Sequence, residues 1–401
     1  MPWKECSTMS ARLEFVELAQ SDGANVALLC RRFGISRKTA YKWMSRYKLG
    51  GIERLEDQSR RPHHSPGKTA ADVEQKIVQM RQRHPAWGGR KLAARLRALG
   101  IETLPAASTI TSVLRRHDLL DPVMSQQRQA PVRFERAAPN DLWQMDFKGH
   151  VPMSQGGRCH PLTVLDDHSR YAIVLSACGD EKTATVQGRL TEAFRHYGLP
   201  WRMLMDNGAP WGAAGWAADS PWTRLTLWLA RLGVAVSHGR PCHPQTQGKD
   251  ERFHRTLVAE LLRWRLFADL CDAQTQLDPW RFTYNHERPH EALGMAVPAQ
   301  RYTPSPRSFP EQLPAVEYDS KDLVRRVRSD GRIKLHNRSI MIGSALIGEL
   351  VAVRPTRDEG MWDVHYCQQR IGRIDERAEG NDSRLRPWRM LAPLASAKDA
   401  E

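Results

Sequence analysis

Three acidic side chains, Asp146, Asp206 and Glu251, stand in settings that suit a metal site. Asp146 lies in Leu142-Trp143-Gln144-Met145-Asp146-Phe147, whose alternation reads as a β-strand. Asp206 leaves the short apolar run Met203-Leu204-Met205 and is followed by Asn207-Gly208, so it sits at a strand end. Glu251 falls in the first turn of an expected long amphipathic helix, which starts abruptly after the proline- and glycine-broken stretch from His238 to Gly248. Cleaving a phosphodiester requires an activated oxygen nucleophile and relief of charge on the leaving oxygen; two divalent ions ~3.5–4 Å apart supply both. Mg²⁺ prefers carboxylate oxygens and water. Three carboxylates suffice if Asp146 bridges both ions while Asp206 holds one and Glu251 the other. Taken singly, a carboxylate at a strand end is usually a cap or an ion-pair partner. The three settings together carry the metal reading.

The neighbours of Glu251 sharpen its role. Asp250 points about 100° away on a helix. His254, Arg255 and Val258 share the Glu251 face, while Phe253, Leu257 and Leu261 mark a more buried one. Arg255, one turn on, is placed to meet a phosphate, with Lys249 and Arg252 as further DNA-contact candidates. The stretch from His238 to Gly248 is expected to act as a mobile arm over a DNA end.

The elements that must hold these residues form an α/β layer. Further strands are expected over Leu162–Asp166, Tyr171–Leu175 and Val234–Val236, and helices over Thr183–Tyr197 and from Ser220-Pro221 to Gly233. Together with the strands carrying Asp146 and Asp206, they predict a mixed five-stranded sheet spanning residues 140–303.

Flanking segments differ in composition. Residues 8–50 read as a helix-turn-helix: Asn25 and Ser36 are N-cap residues, Gly34-Ile35 makes the turn, and Ala40, Trp43 and Met44 face inward. Arg37, Lys38, Lys42 and Arg46 are then left to enter a major groove. Residues 66–120 read as a second helical unit. Ser108 caps its last helix, and Arg90, Lys91, Arg115 and Arg116 are its DNA-contact candidates; a structural spacer is the competing reading. Residues 121–139 form a linker, and 304–319 a proline-rich spacer. Residues 320–376 carry short strands between turn residues, predicting a small SH3-like β-barrel whose basic residues include Arg328. A capping or oligomerisation module is the alternative. The tail over 377–401 is expected to be disordered.

The chain has 401 residues, more than one ordinary domain holds, and 60 Lys plus Arg against 45 Asp plus Glu, a net charge of +15. That balance fits a nucleic acid first and an anionic surface second. Apolar runs fall short of the ~20 residues that span a bilayer. No signal peptide is read at the N-terminus, and the seven cysteines form no Cys-x-x-Cys pair. A reducing cytoplasm, with association to the nucleoid, is the expected location.

These residues carry a resemblance. Trp143-Gln144-Met145-Asp146-Phe147, Leu165-Asp166-Asp167-His168-Ser169-Arg170, Asp206-Asn207-Gly208, Pro244 through Arg252, Tyr284-Asn285 and Pro289-His290 follow in the order found in insertion-sequence transposases of the DDE superfamily. The chain resembles those with a retroviral-integrase type of core. The resemblance implies an RNase H-like fold, Asp146, Asp206 and Glu251 as the catalytic triad, and two Mg²⁺ ions, with Mn²⁺ able to substitute. It also implies binding of terminal inverted repeats, 3′-end cleavage, and joining of the 3′-OH to target DNA by a homo-oligomer in a synaptic complex. The 44 residues between Asp206 and Glu251 are more than many relatives have, and Trp211–Asp219 reads as an inserted loop absorbing the excess. Val258 stands where retroviral relatives carry a second basic residue, and no His/Cys zinc unit precedes the core. A structure-specific nuclease on the same fold and a non-catalytic DNA-binding regulator are the alternatives. Tyrosine and serine recombinases are disfavoured because no nucleophile setting stands out.

Overall fold

The computed structural model describes residues 8–57, 68–120, 135–211, 222–238, 248–377 and 386–387. The chain divides into two compact units, 1–68 and 69–401. In the first, α1 (Thr8–Gln20), α2 (Val26–Arg32) and α3 (Arg37–Gly50) enclose Phe15, Val16, Cys30, Ala40 and Trp43. Both expected caps are present: Asn25 accepts from the Leu28 N–H and Ser36 from the Thr39 N–H, each at 3.1 Å. These bonds satisfy N–H groups that a helix start leaves unpaired.

The second unit opens with α4 (Ala71–Arg83), α5 (Gly89–Ala98) and α6 (Ala107–Arg116), packed on Ile77, Trp87, Leu92 and Leu114. Helix α6 begins one residue before Ser108. Ala106 occupies the cap position without a side-chain bond, so Ser108 is not the cap. Gly89 is required by close approach, since a Cβ there would lie 2.5 Å from the Ala107 carbonyl oxygen and 2.6 Å from Thr111 Oγ1.

The central sheet contains β1 (Trp143–Phe147), β2 (Val151–Pro152), β3 (Arg158–Asp166), β4 (Ala172–Cys178), β5 (Arg202–Met205) and β6 (Ala235–His238). Its main order is β4-β3-β1-β5-β6, with the two-residue β2 beside the start of β3. Strands β1, β5 and β6 are parallel, and β3 runs antiparallel to β1 and β4, giving the mixed sheet expected. Helices α7 (Thr183–Tyr197) and α8 (Arg224–Arg231) contribute to one large apolar cluster, and α9 (Gly248–Leu257) and α10 (Leu270–His286) to another that includes Leu165, Ala172 and Leu175. Two expectations are corrected. Helix α8 starts at Arg224 under a reciprocal Thr223–Thr226 capping box, not at Ser220-Pro221, which lie outside the described residues. The helix bearing Glu251 is not long: α9 passes into a π turn over Val258–Leu262, where the Arg263 N–H reaches back to Val258, and α10 restarts under the Asp269 cap.

The C-terminal region has β7 (Leu323–Arg326), β8 (Arg332–Leu335), β9 (Arg338–Met341), β10 (Leu350–Pro355), β11 (Met361–Tyr366), β12 (Gln369–Asp375) and β13 (Arg386–Pro387). The expected strands form, but the expected closed barrel does not. An open antiparallel sheet, β13-β12-β11-β10-β7, accompanies a separate β8–β9 hairpin whose strands pair with each other. Strand β13 falls within the tail expected to be disordered; the rest of 378–401 lies outside the described residues. The apolar cluster around α8 runs on without a break into this region. Among the described residues no helix is long and apolar enough to cross a membrane, and the five described cysteines are free.

Candidate active site

Strands β1 and β5 bring two of the three carboxylates together. Their parallel register pairs Trp143 with Met203 and Gln144 with Leu204. Two further steps along both strands bring Asp146 level with Asp206. The side chain of Asp146 is 28% exposed. Burial first, then the Asp206 charge, push its carboxyl up from 3.8 to about 6, against the Phe147 N–H, which favours the ionised form. Two like charges share a partly dry pocket, a donor set that a hard divalent cation would relieve.

Each aspartate is fixed by neighbours the sequence did not single out as site residues. Asp206 Oδ1 accepts from the Gly208 N–H at 2.8 Å and from the Trp211 indole N–H, whose ring stacks on Phe147. His238 Nδ1 donates to the Asp206 carbonyl oxygen at 2.8 Å. Across β1, Thr163 Oγ1 donates to the Asp146 carbonyl oxygen at 2.9 Å and stands 2.8 Å from His254 Nε2. With the threonine proton committed, His254 must donate from Nε2, leaving Nδ1 unprotonated 3.9 Å from Asp146 Oδ2. Burial depresses His254 to about 4, so it is neutral and does not compensate Asp146. Its signal in the sequence was its place one turn beyond Glu251.

Helix α9 gives its three leading polar residues different surroundings. Lys249, a DNA-contact candidate, turns inward and forms an ion pair with Asp167. Asp250 is fully buried with no hydrogen-bond partner for either carboxylate oxygen. Burial first, then Asp146 and Asp167, hold its carboxyl well above the ordinary range. Glu251 is exposed. Among the described residues no three His, Cys, Asp or Glu side chains group closely enough to hold one ion. The structure thus joins Asp146 to Asp206 but does not gather Glu251 in with them. Residues 239–247, which hold most of the expected arm, and 212–219 of the expected inserted loop lie outside the described residues.

The other DNA-contact candidates fall into two groups. Arg37, Lys38 and Lys42 are exposed on α3, where Lys42 and Arg46 lie over the Trp43 ring at 4.5 and 5.0 Å. Arg115, Arg252, Arg255 and Arg328 are also exposed. Arg116 instead pairs with Glu74 at 3.1 Å. Helix α5 faces the core: Arg95 pairs with Glu287 at 2.9 Å and Arg90 with Glu291 at 3.9 Å. Lys91 is depressed to about 8 by burial and by the nearby Arg288. Lys91 is therefore withdrawn from the surface assigned to it, because α5 packs against acidic side chains that the sequence places far away.

Comparison with known proteins agrees with this architecture. The integrase core domain family matches residues 136–244 and, in a second form, 232–298. A helix-turn-helix domain matches 11–63 and a homeodomain-like domain 39–114. The IS481 family transposase C-terminal domain matches 322–382. The chain is 26% identical over 246 residues to the insertion element IS476 39.2 kDa protein of Xanthomonas euvesicatoria, covering 59% of this chain and 67% of that one. It is 28% identical over 163 residues to the insertion element IS407 31.7 kDa protein of Burkholderia multivorans, covering 41% and 55%. Among solved structures, a chain of the simian T-cell lymphotropic virus intasome in complex with the PP2A regulatory subunit B56 gamma aligns at 15% identity and a TM-score of 0.36, over 73% of this chain and 97% of that one. The HTLV-2 integrase catalytic core with magnesium aligns at 15% identity and 0.31, over 41% and 97%. The chain thus carries an integrase core domain between helix-turn-helix domains and an IS481 family transposase C-terminal domain, and is similar to insertion-element proteins.

Proposed function

We propose that the chain binds the terminal inverted repeats of its element, cleaves the 3′ ends hydrolytically, and joins each 3′-OH to target DNA. The observation that carries this reading is the pair Asp146–Asp206, level on adjacent parallel strands, with Asp146 held up to about 6 by burial and by its neighbour. Asp146, Asp206 and Glu251 are the residues that would hold two Mg²⁺ ions, or Mn²⁺ in their place. When bound, such ions make water a nucleophile near neutral pH and neutralise charge on the leaving oxygen. The chain itself supplies the frame. Trp211 and Gly208 orient Asp206, and Thr163 and His254 bracket Asp146. Completing the site requires Glu251 to approach the two aspartates, which fits a site assembled with DNA in place. The exposed cations of α3 support DNA-end recognition, and holding several DNA sites at once calls for a homo-oligomer.

The test incubates the chain with labelled element-end duplex, a target plasmid and Mg²⁺, beside Asp206→Asn. Joined products that vanish in the variant, while end binding persists, are the expected result. Metal-dependent cleavage without joining would indicate a nuclease; end binding without chemistry would indicate a regulator.

A further inference from the structure

Asp167 stands in the turn after β3 and is 4% exposed. Its Oδ1 accepts from Gln144 Nε2 at 2.7 Å and from Lys249 Nζ. Its Oδ2 accepts from the Arg136 backbone N–H at 2.9 Å, and its own N–H donates to the Leu142 carbonyl oxygen at 2.9 Å. The two side chains on Oδ1 come from the elements that matter most. Gln144 is two residues before Asp146 on β1, and alternation puts both on one face of the strand. Lys249 is two residues before Glu251 in the first turn of α9. Lys249 is largely buried; burial lowers its pKa, while Asp167 opposes that by stabilising the ammonium. An ammonium in that position without its carboxylate would be an uncompensated buried charge, which costs far more than an exposed ion pair is worth.

We propose that Asp167 is a positioning residue: by gripping Gln144 and Lys249 on one oxygen, it sets the start and rotation of α9 against β1, and so the reach of Glu251 towards Asp146 and Asp206. This rests on the reading of those three carboxylates as the metal site. Helix phase makes the grip consequential. Adjacent residues differ by about 100°, enough to make Asp250 buried and Glu251 exposed, so a modest rotation of the first turn redirects Glu251. Neither Asp167 nor Lys249 touches the reacting atoms, and the grip acts on them only through the ligands. Residues that orient ligands in this way typically change metal affinity by about 10–100-fold when replaced.

The full-length chain is compared with Asp167→Asn, Lys249→Met, the double variant and Glu251→Gln. Bound Mn²⁺ is counted by electron paramagnetic resonance in the presence of element-end duplex, and end binding is followed by fluorescence anisotropy. Each positioning variant should raise the Mn²⁺ concentration for half-saturation by about tenfold. End affinity should stay within about twofold, and the double variant should be no worse than the worse single, because both changes break one contact. A folded Asp167→Asn with wild-type Mn²⁺ binding overturns the proposal. So does a Lys249→Met that loses end affinity while keeping Mn²⁺ binding, the signature of a direct phosphate contact. Glu251→Gln separates the two layers: wild-type Mn²⁺ binding there sinks the metal-site reading itself, whereas a loss there with none in Asp167→Asn sinks only the positioning role. If Asp167→Asn does not fold, Lys249→Met decides alone, since it leaves Asp167 its bonds to Gln144 and Arg136.

Discussion

Replacing Asp146 with Asn should stabilise the metal-free chain. The carboxyl is raised from 3.8 to about 6, chiefly by burial. Between those values the folded chain keeps a proton that the unfolded chain has released. Folding is therefore favoured by this group at low pH, and that contribution is lost as pH rises through about 6; above it, the buried charge opposes folding. A gap near two pKa units at ~1.36 kcal/mol each gives an upper bound of about 3 kcal/mol. With 28% of the side chain open to solvent, screening brings this to roughly 1–2 kcal/mol. Asparagine is close to isosteric, cannot ionise, and keeps an oxygen for the Phe147 N–H. At about 2–4 °C per kcal/mol for a domain of this size, Asp146→Asn should unfold several degrees above wild type in EDTA at neutral pH. Near pH 4, where the folded wild type is also protonated, the two should coincide. Adding Mg²⁺ should raise the wild type and leave the variant unmoved, because only ligand bound to the native state shifts unfolding. A variant less stable than wild type in EDTA at neutral pH would refute the argument that this carboxylate is held against its own solvation.

Two further outcomes follow from burial and exposure. Asp250→Val removes a buried carboxyl whose oxygens have no partner, and should raise stability by about 1–3 kcal/mol in chemical denaturation, less a few tenths for a β-branched residue in a helix. A loss of stability would mean that Asp250 makes a bond the native chain depends on. Arg37→Ala and Lys38→Ala in α3 should each weaken binding to element-end DNA and reduce the salt dependence of binding by about one unit of slope, read from affinity measured over a range of salt concentrations. An unchanged slope would remove α3 from the interface.

Much of this architecture was legible in the sequence because its signals are local. Asn25 and Ser36 announce helix starts by side-chain chemistry, and each bonds as that chemistry requires. Asp146 lies in a short alternating strand and Asp206 directly follows a short apolar one, and the parallel register of the two strands, carried two residues on, places the acids level. What stayed hidden depends on partners distant in sequence. Lys249 has the same side chain whether it meets a phosphate or Asp167, 82 residues away. Lys91 was read as a DNA contact because nothing near it shows that Arg288 and Glu260 lie beside it in the fold. The C-terminal strands were visible one by one, yet whether β8 and β9 join the larger sheet is decided by pairing, and they pair with each other. The shortness of α9 was hidden for another reason: apolar periodicity continues through Val258, Leu261 and Leu262, so a π turn there leaves the pattern intact.

The same distinction changes how the net charge of +15 should be understood. A count of basic residues treats every one as available to phosphate, but several are engaged inside the chain. Lys249 is held by Asp167, Arg95 by Glu287, Arg288 by Glu260, Arg170 by Glu135 and Arg354 by Asp322. These pairs join segments apart in sequence, and exchanging one for DNA would leave an acid that is now neutralised without its partner. The charge free to displace counterions is concentrated on exposed side chains such as Arg37 and Lys38 of α3 and Arg252 and Arg255 of α9. On α9 that exposed charge flanks Glu251. Phosphates drawn to Arg252 and Arg255 would arrive beside a carboxylate still apart from Asp146 and Asp206, and drawing that carboxylate in is the step the proposed chemistry most needs.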